Sequence, residues 1–308
     1  MAPLPEQTLT DDLMFDILVA EIAGQRGEME VSVPHYLQAA ENARDPRVAE
    51  RAVQIASYAK QYDIAERAAR RWVELAPDDL EAHKALTVLA LHLGDTEEAI
   101  SQLDYLISTS SDPEEGYRLA TALLSRDTNK DAALKAMQKL VAHHPENPQA
   151  WIALSRMAVN VGSLEVGLDA INKALDLSPQ LPAAVILKAQ ILVRLERKAE
   201  ATQVLEAAVS KHPDNSMLHF AYGRMLLDSD DLAGAKKQFG KVVELEPDNA
   251  EGLYSLALLE LETKQYKAGE KHLLQLLQLQ PDEQNAYYYL GYSALEQGDD
   301  ATALQWYS

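Results

Sequence analysis

Proline recurs at a fixed interval along most of this chain. Five prolines are spaced 34 residues apart, and a sixth lies two such intervals before the first of them. The six are Pro77, Pro145, Pro179, Pro213, Pro247 and Pro281. At the skipped position, Ser111 is followed two residues later by Pro113, so the period continues there with a displaced proline. Because a period of 34 residues is typical of stacked helix-turn-helix units, the sequence predicts an all-α repeat array.

Small residues recur at one position of this repeat. If the proline is given position 32, complete units run over 46–79, 80–113, 114–147, 148–181, 182–215, 216–249 and 250–283, and residues 284–308 open another. Position 20 then holds Ala65, Ala99, Ala133, Gly167, Ala201, Ala235, Gly269 and Ala303. A side chain larger than a methyl group here would push the two helices of a unit apart. The pattern therefore predicts that the second helix packs closely on the first.

Other repeated positions predict the core and the turns. Position 24 holds Leu103, Met137, Ile171, Leu205, Phe239, Leu273 and Tyr307, and position 7 holds Leu86, Leu154, Tyr222, Leu256 and Leu290. These large apolar residues are predicted to form the core. Position 15 holds Gly94, Gly162 and Gly298, and in other units Glu196, Asp230 and Lys264. Because glycine adopts a positive φ without steric cost, it is predicted to end the first helix of its unit, and the turns are therefore not expected to be uniform.

The start of the chain departs from the regular repeat. Residues 1–9 are predicted to be a flexible linker, and residues 10–45 an apolar first helix with a degenerate first unit. Thr10 is the expected N-cap of this helix. The helix is apolar around most of its circumference, whereas a terminal helix needs only one buried face. Either it packs into the next unit as a cap, or it is a docking helix for a partner. The docking hypothesis rests on Leu13, Met14, Phe15, Ile17, Leu18 and Ile22.

Composition and motifs favour a binding protein over an enzyme. Asp and Glu number 48 against 28 Lys and Arg, and a formal charge of −20 disfavours nucleic acid and anionic membranes as general partners. Without cysteine, the chain has no disulfide or thiolate metal site. The eight histidines lack metal-binding spacing, and we interpret them as solvated turn residues. No phosphate loop or nucleophile elbow is present, so we predict no catalytic residues, no metal and no cofactor.

The aligned units resemble the tetratricopeptide repeat family. The family pattern is clearest in Trp151, Leu154, Ala174 and Pro179, and again in Tyr287, Leu290 and Gly291. The resemblance covers nearly the whole chain. It implies a right-handed superhelical solenoid of about eight complete units, with seven regular ones over 46–283, plus a truncated ninth over 284–308. Because the last unit stops early, we expect the native protein to continue beyond Ser308.

The resemblance also implies a concave groove lined by the first helix of each unit. Positions 5, 9 and 13 of that helix share one face and hold Lys84, Arg118, Arg156, Arg194 and Arg224 in five successive units, with Gln190 among them. Farther along, aromatic residues occupy the groove positions: Phe220, Tyr254, Tyr288 and Tyr292. A basic groove suits acidic side chains or a chain-terminal carboxylate. The alternative is that each cation pairs with a nearby Glu or Asp on the neighbouring unit and that the rings pack between repeats.

One known use of the family's groove is not predicted here. The carboxylate clamp that holds acidic chaperone tails combines a lysine at position 5 with an asparagine at position 9 of the same unit. In this chain Lys84 is followed by Val88 at position 9, and the preceding unit does not restore the set. We therefore expect a different ligand.

The N-terminal region resembles tetratricopeptide lipoproteins of Gram-negative envelopes that partner a periplasmic carboxyl-terminal processing protease. The resemblance lies in the segment from Leu9 to Gly27, in Tyr36-Leu-Gln-Ala-Ala and in Asp45-Pro-Arg-Val-Ala-Glu-Arg-Ala. It implies an outer-membrane lipoprotein on the periplasmic face, attached only through a lipid anchor absent from this sequence. It also implies an adaptor that binds and activates the protease and delivers cell-wall hydrolases to it.

Two other functions are compatible with the same sequence. One is a self-associating or assembly scaffold of the envelope, for example in secretion or pilus biogenesis. The other is a cytoplasmic regulatory domain of an enzyme encoded beyond Ser308.

Overall fold

The computed structural model describes residues 10–125 and 129–308, and within them all regular secondary structure is α-helical. The predicted linker at residues 1–9 lies outside the described residues. Contacts cluster into two compact units, Met1–Leu177 and Ser178–Ser308. Among the described residues, no helix is both long and apolar enough to cross a bilayer.

The first compact unit contains ten helices within the described residues. They are α1 (Asp11–Gln25), α2 (Met29–Asn42), α3 (Pro46–Tyr58), α4 (Tyr62–Leu75), α5 (Leu80–Leu93), α6 (Thr96–Thr109), α7 (Pro113–Leu124), α8 (Lys130–His143), α9 (Pro148–Asn160) and α10 (Leu164–Leu177). Consecutive helices pack as pairs, α1 with α2, α3 with α4, α5 with α6 and α9 with α10. Helix α7 differs, because it packs more extensively on α6 and α9 than on α8.

The second compact unit contains eight helices that also pack as consecutive pairs. They are α11 (Pro182–Arg194), α12 (Lys198–Lys211), α13 (Ser216–Leu227), α14 (Leu232–Leu245), α15 (Ala250–Glu262), α16 (Tyr266–Leu279), α17 (Gln284–Glu296) and α18 (Asp300–Tyr307). The predicted all-α architecture of sequential helix pairs is therefore confirmed.

The small residues at position 20 are buried at the contact between paired helices. All eight are buried, and none of the six alanines is more than 1% exposed. At Gly269, an added Cβ would lie 2.8 Å from Leu261 Cδ2 and 3.0 Å from the carbonyl oxygen of Ala257. At Gly167, it would lie 3.3 Å from the carbonyl oxygen of Ser155. Close approach of the two backbones thus explains why this position excludes larger side chains.

The turns at position 15 are more uniform than their sequences predict, because glycine and non-glycine residues share one backbone conformation. Gly94, Gly162 and Gly298 have φ of 78–84°. Glu196, Asp230 and Lys264, predicted at the same position, adopt the left-handed region at φ of 58–62° although they carry a Cβ. The repeat therefore fixes this conformation, and glycine is favoured but not required.

The positions predicted to form the core are buried, with one exception. Leu103, Met137, Ile171 and Leu273 are fully buried at position 24. Tyr307 at the same position is 46% exposed, because it lies in the last turn of α18 and no further helix among the described residues covers it.

Position 4 of the units carries a hydrogen bond that sequence analysis missed. The side chain there donates to the carbonyl of the repeated proline six residues earlier: Trp151 to Pro145 at 2.7 Å and Tyr287 to Pro281 at 3.0 Å. His83 Nε2 lies 2.8 Å from the carbonyl oxygen of Pro77, and His219 Nε2 lies 2.9 Å from that of Pro213. The bond satisfies a carbonyl just before the next helix, where no helical donor reaches it.

The interpretation of all histidines as solvated turn residues is wrong. His83 and His219 lie inside helices and are 4% and 7% exposed. Their Nδ1 atoms lie 2.5 and 2.7 Å from the amide oxygens of Gln102 and Gln238. His83 also stacks on Tyr105, with ring centroids 3.9 Å apart. Both histidines stand at position 4, where the consensus has an aromatic residue. The repeat register therefore indicates that they are buried, whereas the spacing between histidines does not.

Candidate functional site

Helix α1 presents apolar side chains on two faces. On one face, Leu13 is 4% exposed, and Ile17 packs on the small cluster of Leu13, Ala39 and Ala43. The opposite face is open to solvent. Its side chains and exposed fractions are Met14 at 43%, Phe15 at 61%, Leu18 at 54% and Ile22 at 49%. Four of the six predicted docking residues therefore lie exposed together, and the other two hold the helix in place.

Polar contacts fix the orientation of α1 on the array. The Ser32 hydroxyl of α2 donates to the carbonyl oxygen of Ala20 at 2.7 Å. The Tyr36 hydroxyl donates to the Glu21 carboxylate, and Arg51 of α3 lies 3.5 Å from the same carboxylate. The hydrogen bond from Tyr36, assisted by the charge of Arg51, lowers the pKa of Glu21. The exposed apolar face is therefore carried by an anchored helix.

The predicted cations of the first compact unit differ in their partners. Lys84 pairs with Glu81 of its own helix at 2.8 Å, and Arg118 lies 3.6 Å from Glu115. Half-buried Arg156 has no ion-pair partner among residues 10–125 and 129–308. Pairing with the neighbouring unit, the alternative considered from the sequence, is therefore not what the structure shows for these three residues.

Two of these cations line one furrow between α7 and α9. Its volume is about 260 Å³, and its walls include Tyr117 and Arg118 from α7 and Gln149, Arg156 and Asn160 from α9. Tyr117 is 2% exposed, and its hydroxyl has no hydrogen-bond partner among the described residues. Burial, together with the charge of Asp104, raises the pKa of Tyr117 to about 12.

The other predicted groove residues lie in the second compact unit. Gln190 and Arg194 are exposed on α11, and Arg224 is exposed on α13. Phe220 is half-buried on α13 with its ring 5.5 Å from that of Phe239, so it contributes to packing.

Two of the three predicted tyrosines of the second unit, Tyr254 and Tyr288, have their rings beside that of Tyr289. Tyr254 is half-buried with its ring 6.1 Å from that of Tyr289, and burial raises its pKa, with a further contribution from Tyr289. Tyr288 and Tyr292 are 56% and 39% exposed, one helical turn apart on α17. The nearby charge of Glu296 raises the pKa of Tyr292. Tyr288 and Tyr292 thus present two exposed rings on α17.

No metal-binding cluster of His, Asp and Glu is found among the residues that the structure describes. Asp104 of α6 has two histidine partners, His143 at 2.6 Å and His144 at 3.0 Å. These contacts hold the C-terminal end of α8 to α6.

Comparison with known families agrees with this geometry. A tetratricopeptide repeat model matches residues 51–113, 226–283 and 254–308. The TPR domain of cytochrome c-type biogenesis protein H matches residues 122–245. The chain is a tetratricopeptide repeat protein. Its helix pairs are the units of that repeat, and proteins of this kind act as protein-interaction scaffolds.

Individual relatives of this tetratricopeptide protein are distant. It is 28% identical over 142 residues to TPR repeat-containing protein PA4667 of Pseudomonas aeruginosa, a match that covers 46% of this chain and 24% of the relative. The matched region thus spans about a quarter of the length of that relative. The structure of Pseudomonas aeruginosa PilF is 20% identical, with a TM-score of 0.50 over 63% of this chain and 88% of PilF. Yeast Tom70 is 12% identical, with a TM-score of 0.49 over 96% and 90% of the two chains.

Proposed function

We propose that this tetratricopeptide scaffold is an adaptor for a periplasmic carboxyl-terminal processing protease. In this proposal it binds the protease, activates it and delivers peptidoglycan hydrolases to it as substrates. A scaffold that holds enzyme and substrate together raises their effective concentration without any new contact between them. The proposed location is the periplasmic face of the outer membrane, through a lipid anchor outside this sequence.

The observation that carries the proposal is the exposed apolar face of α1. Met14, Phe15, Leu18 and Ile22 lie at helical spacing and remain 43–61% exposed. Fully burying an exposed side chain of this kind contributes about 1.5–3 kcal/mol, and because these four are already about half buried, a partner that covers them gains roughly half of that from each. Together they still form an anchor for a partner. Because α1 is already fixed by its opposite face, little conformational entropy is lost when the partner binds.

The proposal is tested by affinity capture from a Gram-negative envelope extract. The full chain, a deletion of residues 1–24 and the double variant Phe15→Ser/Leu18→Ser are used as baits, with mass spectrometry as the readout. We expect the wild-type chain to recover a processing protease and a wall hydrolase, and both altered baits to lose the protease. Purified protease is then assayed with and without the chain, and its activity should rise only with the wild-type chain.

The matched control is the double variant Tyr58→Ser/Met217→Ser. It removes two apolar side chains of similar exposure, 76% and 57%, from α3 and α13. Recovery of the protease by this control, but not by Phe15→Ser/Leu18→Ser, assigns docking to α1. If the wild-type bait captures only further copies of itself, the adaptor function is wrong and a self-associating envelope scaffold takes its place.

A further inference from the structure

The furrow between α7 and α9 has the size of a site for one side chain of a larger ligand. Its volume of about 260 Å³ lies below the roughly 300–1,000 Å³ typical of pockets that enclose a small molecule. It runs between two helices that pack on each other, both within the first compact unit. The furrow therefore suits a side chain that projects from a segment lying across it.

The charges lining the furrow leave one cation without a counterpart. Arg118 and Arg156 line it together with Glu114, the one carboxylate among the described lining residues. Half-buried Arg156 has no ion-pair partner among the described residues. The pair formed by Arg118 and Glu115 is 65% and 62% exposed at 3.6 Å, so it contributes little and is readily exchanged. In a chain of charge −20, this local excess of positive charge favours an anionic ligand group.

The amide side chains along α9 indicate how the rest of the ligand is held. Gln149 and Asn160 lie eleven residues apart, near the two ends of the helix. At about 1.5 Å per residue, this separation is roughly 16 Å, which about five residues of extended chain at roughly 3.3 Å each would cover. Each amide offers a donor and an acceptor, as a peptide backbone requires. A ligand held at both ends continues past the furrow in both directions.

We propose that this furrow binds an extended acidic segment of a partner protein, with an Asp or Glu side chain held between Arg118 and Arg156. The carboxylate accepts charge-assisted hydrogen bonds from the guanidinium groups, while Gln149 and Asn160 bond to the backbone on either side. The proposal rests on the scaffold function above and specifies the ligand of its groove. It commits to an internal acidic residue and not to a chain terminus, because the amides hold the segment on both sides of the carboxylate.

The test follows the arginine Nε–H NMR signals of the full 308-residue chain, labelled with ¹⁵N at arginine Nε. Three probes are titrated: N-acetyl-Ser-Ala-Glu-Ala-Ser-amide, the same peptide with Gln in place of Glu, and N-acetyl-Ser-Ala-Ala with a free terminal carboxylate. We expect the Glu peptide to shift the Arg118 and Arg156 signals saturably, with the Gln peptide binding about tenfold more weakly. Equal binding of the Glu and Gln peptides would overturn the proposal, and tighter binding of the third peptide would replace the internal residue with a chain terminus.

Two variants separate this site from general charge attraction. Arg156→Gln removes the unpaired cation, and Lys135→Gln removes an exposed cation of α8 that does not line the furrow. The Glu peptide should no longer shift the Arg118 signal in Arg156→Gln but should bind Lys135→Gln as it binds the wild type. Equal loss in both variants would contradict a specific site, and matched thermal unfolding of the variants excludes misfolding as the cause.

The peptide titration tests the furrow proposal, and its result can be told apart from that of the envelope capture, which tests the protease proposal. If the envelope capture fails while the peptide shifts hold, the furrow proposal stands without a named partner. If Arg156→Gln captures the protease and hydrolase at wild-type levels and the peptide shifts are absent, the furrow proposal fails while the adaptor function stands.

Discussion

Five of the eight side chains at position 4 of the units carry an N–H or O–H group: His83, Tyr117, Trp151, His219 and Tyr287. Four of them lie within hydrogen-bond distance of the proline carbonyl oxygen six residues earlier. Tyr117 is the exception. Six residues before it, at the end of the preceding unit, Ser111 stands in place of the proline, and Pro113 follows two residues later. The displaced proline thus coincides with a buried hydroxyl that has no partner among the described residues. A buried unpaired hydroxyl costs free energy because it has lost its hydrogen bond to water.

Replacing Tyr117 with phenylalanine should therefore stabilise the protein. We expect Tyr117→Phe to raise the free energy of unfolding by about 1 kcal/mol at pH 7, measured by urea denaturation with circular dichroism. The control is Tyr287→Phe, which loses its hydrogen bond to Pro281 and should be less stable than the wild type. A destabilised Tyr117→Phe variant would mean that the hydroxyl does have a partner.

The same substitution should remove an alkaline destabilisation. The pKa of Tyr117 rises to about 12 in the folded protein, against about 10 in an unfolded chain. As the pH rises, the unfolded state therefore releases the Tyr117 proton before the folded state does. The contribution of this proton to the free energy of unfolding is fully present below about pH 10 and is lost as the pH rises toward 12. Between pH 9 and 11, the wild type should lose more stability than Tyr117→Phe, and parallel losses would contradict the raised pKa.

The helices themselves begin in a regular way. Among the first helices of the units, α3, α5, α7, α9, α13, α15 and α17 each have an N-cap side chain that accepts a backbone hydrogen bond. Helix α11 differs, because Leu181 occupies its N-cap and offers no acceptor. The backbone of Leu181, at φ −87° and ψ 102°, is nevertheless close to that of Asn215, at φ −97° and ψ 101°. The geometry for a cap is thus already in place.

Leu181→Asn should supply the missing cap. Relative to Leu181→Ala, which removes the same apolar side chain without adding an acceptor, we expect the free energy of unfolding to rise by about 1 kcal/mol. Urea denaturation of both variants measures the difference. Equal stability of the two variants would show that the Asn side chain does not reach the first-turn N–H groups.

Helix α1 shows what a sequence pattern leaves open within one element. Its apolar residues predicted either a cap or a docking helix, and the structure contains parts of both. Leu13 is buried while Phe15 and Leu18 are exposed. The face that packs depends on where α2 lies, and no periodicity within α1 encodes that position.

The molecule as a whole divides into two compact units, Met1–Leu177 and Ser178–Ser308. In repeat proteins, stability is approximately a sum of the intrinsic stabilities of the repeats and of the contacts between nearest neighbours. A local change should therefore act mainly within the compact unit that contains it, and the free energies of unfolding given for Tyr117→Phe and Leu181→Asn refer to the transition of that unit.

Native-state hydrogen exchange can test this independence. Leu181→Asn, compared with Leu181→Ala, should slow amide exchange in α11–α18, most strongly in the helices next to α11, and leave α1–α6 unchanged. Peptide-resolved mass spectrometry at several low urea concentrations gives the measurement. A uniform change from α1 to α18 would show that the chain unfolds as one cooperative unit.

The repeat register, the pairing of helices, the small residues at position 20 and the turn conformations at Gly94, Gly162 and Gly298 were all predictable from the sequence. They depend on contacts between residues within one unit or adjacent units, and such contacts repeat with the same period as the sequence. The burial of His83 and His219 was not predicted. The sequence left open which face of α1 stays exposed and which of the groove cations line the same furrow. These features depend on the spacing and orientation of packed helices, which place particular side chains together and which a linear pattern does not encode.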